Sequence, residues 1–319
     1  MSTLPTGEFA FIEWLRQRTP SAQRVRIGPG DDTASVAWTA GTDCLVTTDM
    51  LLEGSCFVLE GSPIQVAGIT PALPRQIGRK AMAVNLSDIA AMAGQPVAAV
   101  VSVGLPRRGG RHLAEELYLG LRELADAFDT AIVGGDTNSW DGPLVISVTL
   151  LGEPGPRGAV RRSGARAGDW LFVTGPLGGS IRGKHLDFTP RVHEALALAT
   201  EASLHAMIDV SDGLAADVAK LCAESGCGAV LRAESIPISE AARSMADAKT
   251  PLAHALGDGE DFELVFAVTS EDGRALLARQ PIAGITLAAI GECVTEGMWL
   301  EEGGIRRALE ATGFVHALE

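Results

Sequence analysis

Five short segments of the 319-residue chain set acidic or amide side chains among glycines, serines and threonines. They are Gly28-Pro29-Gly30-Asp31-Asp32, Thr47-Thr48-Asp49, the pair Asn85 and Asp88, Gly134-Gly135-Asp136-Thr137-Asn138, and Asp209-Val210-Ser211-Asp212-Gly213. Carboxylates are hard oxygen ligands suited to magnesium, and glycines let the backbone approach an anion. Such groups fit chemistry at phosphate, where divalent cations mediate between acidic protein and acidic ligand. Each segment also has an ordinary reading. Gly, Pro and Asp make surface turns, an Asp closing a strand is commonplace, and residues 134–138 read as a hairpin turn. Asn85 and Asp88 share one face of an apolar helix, as either a buried hydrogen-bonding device or a site. Asp212 reads as a helix cap, but capping leaves Asp209 unexplained. The joint occurrence of the five favours a metal site.

Other chemistries fit less well. Residues 178–184, Gly-Gly-Ser-Ile-Arg-Gly-Lys, match most of a P-loop, but His185 follows where Ser or Thr would hold magnesium. Pro190 is expected to limit any helix after it, and the loop is left as one that approaches phosphate by its small residues and lysine. The six histidines form no H-E-x-x-H, there is no G-x-S-x-G, and no carboxylate couple of the glycosidase kind stands out. Arg161-Arg162-Ser163-Gly164 is either a phosphate clamp or a solvated linker. Residues 257–263, Gly-Asp-Gly-Glu-Asp-Phe-Glu, form an acidic turn leading into a strand, with Glu260 facing a cleft.

The elements that must position these residues alternate between short apolar runs and longer amphipathic stretches, an α/β or α+β pattern. Strands are expected at 44–48, 97–104, 131–134, 144–151, 170–174, 206–210, 229–231, 263–268 and 287–291. Helices are expected at 8–18, 79–92, 113–128, 214–224, 240–248 and 272–279. A Gly-, Pro- and Arg-rich stretch at 152–168 separates two halves, giving domains 1–152 and 153–319. A hydrophobic fraction of 46% supports a substantial core. The net charge of −14 argues against a general nucleic-acid binder. Five cysteines without a C-x-x-C pair suggest neither a disulfide framework nor a zinc site. The longest apolar run, 97–105, is too short for a bilayer, and the first residues carry no leader pattern. A soluble, cytoplasmic protein without membrane partners is the expectation.

The motifs resemble those of the thiamine-monophosphate kinases, within the superfamily that also holds aminoimidazole ribonucleotide synthetase, selenophosphate synthetase and a hydrogenase-maturation protein. The resemblance runs nearly end to end. It is carried by Gly7-Glu8-Phe9, Gly30-Asp31-Asp32, Thr47-Thr48-Asp49, the run from Lys80 to Met92, Gly134-Gly135-Asp136-Thr137, Arg162-Ser163-Gly164-Ala165, Gly168-Asp169-Trp170, Ile208 to Leu214, and Gly259 to Leu264. It implies magnesium ligands at Asp32, Thr47, Thr48, Asp49, Asp88, Asp136, Asp209 and Asp212, with Asp88, Asp136 and Asp209 as the catalytic ones. It implies ATP contacts at Gly135, Asp136, Arg162 and Ser211, and acceptor contacts at Cys56, Glu260 and Phe314.

The implied fold is the two-domain aminoimidazole ribonucleotide synthetase-like one. Its N-terminal domain binds ATP and magnesium and pairs its sheet in a homodimer, while a C-terminal α/β domain closes the site. The implied reaction is phosphorylation of thiamine monophosphate by ATP. The sequence departs from the pattern at four places. Cys56 stands where the family has a His, the connection from Gly183 to Arg191 is short, Asp258 replaces Gly or Ser, and Pro29 replaces Ile. These keep open a related ATP-dependent enzyme with another acceptor, and a non-catalytic nucleotide-binding protein.

Overall fold

In the computed structural model, residues 25–27, 31–37, 43–66, 68–107 and 110–314 are described. The expected helix at 8–18 and the motifs Gly7-Glu8-Phe9 and Gly28-Pro29-Gly30 lie outside them. Two sheets divide the chain. The first contains β1 (Val25–Ile27), β2 (Ala34–Ala37), β3 (Asp43–Leu52), β4 (Gly94–Pro106), β5 (Ala131–Trp140) and β6 (Val145–Pro154), in the order β1-β2-β3-β6-β4-β5. Its pairs are antiparallel except β4 with β5. Two helices, α1 (Pro74–Ala91) and α2 (Gly110–Ala127), pack on one face. The other face leaves Met50, Leu52, Val97 and Val100 exposed.

The second sheet contains β7 (Trp170–Val173), β8 (Ala206–Asp209), β9 (Gly228–Arg232), β10 (Leu264–Val268), β11 (Ala288–Val294), β12 (Met298–Glu302) and β13 (Ile305–Ala308), in the order β13-β12-β9-β11-β7-β10-β8. With it come α3 (Lys184–Asp187), α4 (Val192–Glu201), α5 (Leu214–Ser225), α6 (Glu240–Ser244), α7 (Pro251–Gly257) and α8 (Ser270–Arg279). Helix α4 begins two residues after Pro190, so the proline does not prevent a helix there; it lies outside the hydrogen-bonded turns. Among the described residues no helix is long and apolar enough to cross a membrane.

Helix α1 is the element on which the two halves meet. From Ile77 to Ala91 nearly every position of this helix is buried, polar Lys80, Asn85 and Ser87 included. It packs on β3, β4 and β6 on one side and against α3, α4 and β8 on the other. Consequently Leu45, Leu86 and Ile89 share one continuous core with Phe172, Met207 and Phe266 of the second sheet. Helices α1 and α2 touch backbone to backbone: a Cβ on Gly78 would lie 2.0 Å from the Leu117 carbonyl oxygen, and one on Gly120 1.9 Å from that of Arg75.

Candidate active site between the two sheets

Three aspartates from distant parts of the sequence converge where α1 meets β8. Asp32, Asp88 and Asp209 each offer a carboxylate oxygen, and those oxygens lie within 4.8 Å of one another. Each is steadied by one donor. Arg162 Nη2 binds Asp32 Oδ1, Thr47 Oγ1 donates to Asp88 Oδ2 at 2.5 Å, and Ser87 Oγ donates to Asp209 Oδ2 at 2.6 Å. Asp49 borders the group, its N–H donating to Asn85 Oδ1 at 3.1 Å. Asn85 in turn donates to the Ala81 carbonyl, so the amide is a buried hydrogen-bonding device, while Asp88 is the member of that pair that joins the acidic trio.

Bringing carboxylates this close has an electrostatic cost. Burial, and then the charges of Asp49, Asp209 and Asp32, raise Asp88 well above the usual carboxylate range. Burial followed by Asp32 does the same to Asp209. Burial pushes Asp49 up to about 6, against a hydrogen bond from Asp88. Asp31 is also raised to about 6 by burial and by Asp32. Burial opposes the charge of Arg162, yet Asp32, Asp209 and Asp31 together hold it above its ordinary value. One guanidinium is thus set against several carboxylates. Asp32 Oδ2 is buried with no hydrogen-bond partner. Three carboxylates this close, one with a buried oxygen left unpaired, fit the donor set of a hard divalent cation.

The remaining expected residues are distributed differently. Asp49 does not end its strand, because β3 continues to Leu52. The alternation along β3 turns Thr48 away from the cluster, and its hydroxyl bonds the Val148 carbonyl at 3.1 Å and Thr149 Oγ1 at 2.9 Å. Residues 134–138 are not a hairpin turn but the interior of edge strand β5. Gly135 is required there by packing, since a Cβ would fall 1.8 Å from the Val101 carbonyl oxygen. Asp136 is exposed, in register with Ser102, and is not brought to the trio. Gly135 and Asp136 line a groove of about 460 Å³ with Val101, Leu117, Tyr118 and Ile132.

Asp212 does not cap α5. Asp217 reaches back to the N–H groups of Asp212 and Gly213, at 2.9 and 3.0 Å, while Asp212 pairs with Lys220. The backbone N–H of Phe314 donates to the Asp212 carbonyl at 2.9 Å, and its side chain is half-exposed. Arg162 is no solvated linker residue, since its own N–H also bonds Asp31 Oδ1 at 3.0 Å.

The turn before β10 carries a second set of acidic groups, all paired. Glu260 Oε1 meets Lys80 Nζ at 2.6 Å. Asp261 accepts from the Gly178 N–H at 2.7 Å and from Ser180 Oγ. Asp258 accepts from the Gly179 N–H at 3.0 Å and lies against His254 Nδ1 at 2.7 Å and Lys249 Nζ at 3.0 Å. Glu263 binds Lys184, Arg191 and Thr174; burial works against its charge, but those two cations keep it below its ordinary value. The P-loop look-alike is therefore occupied by the protein's own carboxylates, and its lysine is committed to Glu263. Asp258 likewise adds no free charge beside Glu260. Phe188, in the shortened connection, stacks on Phe262 with centroids 4.1 Å apart. Cys56 packs its thiol against the core and gives its carbonyl to Lys80 at 2.9 Å.

Sequence reasoning passed over Ser87, Lys80 and Tyr118. The first two are polar residues in the Ala-, Met-, Leu- and Ile-rich stretch of α1, which was the available signal.

The architecture and the acidic trio define the AIR synthase related class: the family model of its N-terminal domain matches residues 30–153 and that of its C-terminal domain residues 159–298. The thiamine-monophosphate kinase of Rhodopirellula baltica is 40% identical over 97% of both chains. That of Salmonella typhimurium is 32% identical over 97% of this chain and 98% of its own. A solved structure of AaThiL complexed with AMPPCP and TMP superposes with a TM-score of 0.80 at 29% identity, covering 99% of this chain and 100% of that one. The chain belongs to the thiamine-monophosphate kinase family.

Proposed function

We propose that the protein transfers the γ-phosphoryl group of ATP to thiamine monophosphate, giving thiamine diphosphate and ADP. The observation that carries this reading is the under-neutralised trio Asp32, Asp88 and Asp209, joined across both halves of a chain whose relatives are named for that reaction. The AaThiL structure with AMPPCP and TMP supports ATP as donor and thiamine monophosphate as acceptor. Magnesium held by Asp32, Asp88 and Asp209, with Asp49 and Thr47 alongside, would neutralise donor and acceptor phosphates and favour in-line transfer.

The chain's own residues do the positioning. The acceptor is a phosphate monoester, already largely ionised near neutral pH, so no strong base is required. Arg162 keeps Asp32 in place and offers a permanent positive charge at the phosphate end. The groove between α2 and β5, with the Tyr118 ring, Leu117 and the Gly135 backbone, suits the purine of ATP. Ser211 adjoins Asp209, and Glu260 with Phe314 serves the acceptor. Thr48, Asp136 and Asp212 stand apart from the trio in this arrangement, so a role for them in binding phosphate or metal requires the ligands to reach them.

Residues 1–152 then form the nucleotide and metal domain and 153–319 the domain that closes on it. The bare face of the first sheet, with Met50, Leu52, Val97 and Val100 exposed, supports a homodimer paired through that sheet. Free cysteines throughout the described residues fit a cytoplasmic setting. Purified protein incubated with ATP, magnesium and thiamine monophosphate should yield thiamine diphosphate and ADP in equal amounts. ADP formed only with a different acceptor would overturn the assignment.

A further inference from the structure

The side chain of Lys80 has no solvent exposure, a condition an ammonium tolerates only with its donors engaged. Its two acceptors come from opposite halves of the chain. The Cys56 carbonyl, 2.9 Å away, belongs to the loop after β3, and Glu260 Oε1, 2.6 Å away, to the turn before β10. Glu260 keeps about a third of its side chain exposed, at 34%, so one carboxylate oxygen is tied while the carboxylate still meets solvent. Its backbone is left-handed, with φ of +53°, and its N–H is fixed to the Ser211 carbonyl at 2.7 Å. An L-residue in that region persists only where its surroundings over-determine it. Phe262, two residues on, shares the conformation with φ of +48° and is held by the Val210 carbonyl at 2.8 Å.

We infer that Lys80 is a positioning residue for the acceptor: by gathering Glu260 Oε1 and the Cys56 carbonyl at one point, it aims the other Glu260 oxygen at the organic part of the phosphoryl acceptor. The inference rests on the function proposed above. The organic part of thiamine monophosphate combines a cationic thiazolium with an amino-substituted pyrimidine, and a hydrogen-bond-accepting anion complements both. Lys80 reaches this ligand only through Glu260, so it governs acceptor binding and leaves donor binding alone.

Steady-state kinetics on Lys80→Met, Glu260→Gln and the double variant test this. Both single variants should raise KM for thiamine monophosphate by about tenfold or more, with KM for ATP within about threefold of the parent. The double variant should be no worse than the poorer single one, because Lys80 acts on the acceptor only through the Glu260 carboxylate, which Glu260→Gln has already neutralised. Parallel rises in both KM values, or additive effects in the double variant, would overturn the role. Should Lys80→Met fail to fold, Glu260→Gln decides, since its amide oxygen still accepts from Lys80; an unchanged acceptor KM there overturns the inference. Absence of thiamine monophosphate turnover in the unsubstituted protein would instead remove the functional reading and this inference with it.

Discussion

Two groups of carboxylates meet α1, one at Lys80 and one at Asp88, and they are treated in opposite ways. Around Asp258, Glu260, Asp261 and Glu263 the chain supplies Lys249, Lys80, Lys184 and Arg191, together with backbone N–H groups and hydroxyls. Around Asp32, Asp88 and Asp209 it supplies Arg162 and two hydroxyls, and leaves Asp32 Oδ2 with nothing. The first group is a fastening that holds a strained turn. The second is a charge imbalance, which the proposed magnesium would offset. Acidic residues alone therefore do not single out a candidate metal site; the shortage of neighbouring cations is what separates the trio from the paired set.

Substitutions that swap these characters test the distinction. The largest effect should come from Asp88→Asn, which removes a ligand from the unbalanced group and lowers phosphoryl transfer by about a thousandfold or more. The same variant, melted without magnesium, should be more stable than the parent because a buried repulsion is gone. Lower stability together with retained activity would place Asp88 in the fastening class. Glu263→Gln addresses the other group. It strands Lys184 and Arg191 beside a neutral amide and should cost about 3 kcal/mol in chemical denaturation. A neutral result would mean that the paired set is dispensable.

A smaller effect is expected in the pH dependence. Asp88 and Asp209 have folded values raised above their ordinary 3.8, so the folded state binds more protons than the unfolded state between those limits. Without magnesium, stability should fall as pH rises through that window. Magnesium must displace those protons, so its stabilising increment should grow from pH 5 to pH 8 in paired thermal melts. An increment independent of pH would argue that the trio is not where the ion binds.

Much of the frame was legible in the sequence, because runs of Val, Ile and Leu mark buried strands whatever they pair with. Strands β7 and β8 and helix α5 fall within a residue or two of expectation. The hairpin of β12 and β13 was not read, since its second strand, Ile305-Arg306-Arg307-Ala308, is exposed at every position and shows no alternation. Helix α4 was masked by Pro190. At the site, the aspartates could be read from their glycine and hydroxyl neighbours, but the pairings could not. Ser87 meets Asp209 across 122 residues and Lys80 meets Glu260 across 180. Local spacing carries no information at that range. The segment 134–138 misled for a related reason: its glycines look like a turn, yet one is there to let two strands touch.

Helix α1 also acts as a ruler. Lys80 and Asp88 are eight residues apart, which fixes about 12 Å of axial rise between the anchor of Glu260 and the acidic trio. The backbone-to-backbone seating of Gly78 and Gly120 on α2 stops that scale from sliding. Inserting one residue between positions 80 and 88 would rotate one end against the other by about 100°, carrying Asp88 off the face that meets Thr47 while leaving every side chain present. On the proposed reading, in which Glu260 meets the acceptor's organic part and the trio its phosphate, the length of acceptor that fits is written into the pitch of one helix, and a longer or shorter molecule would reach the trio out of register.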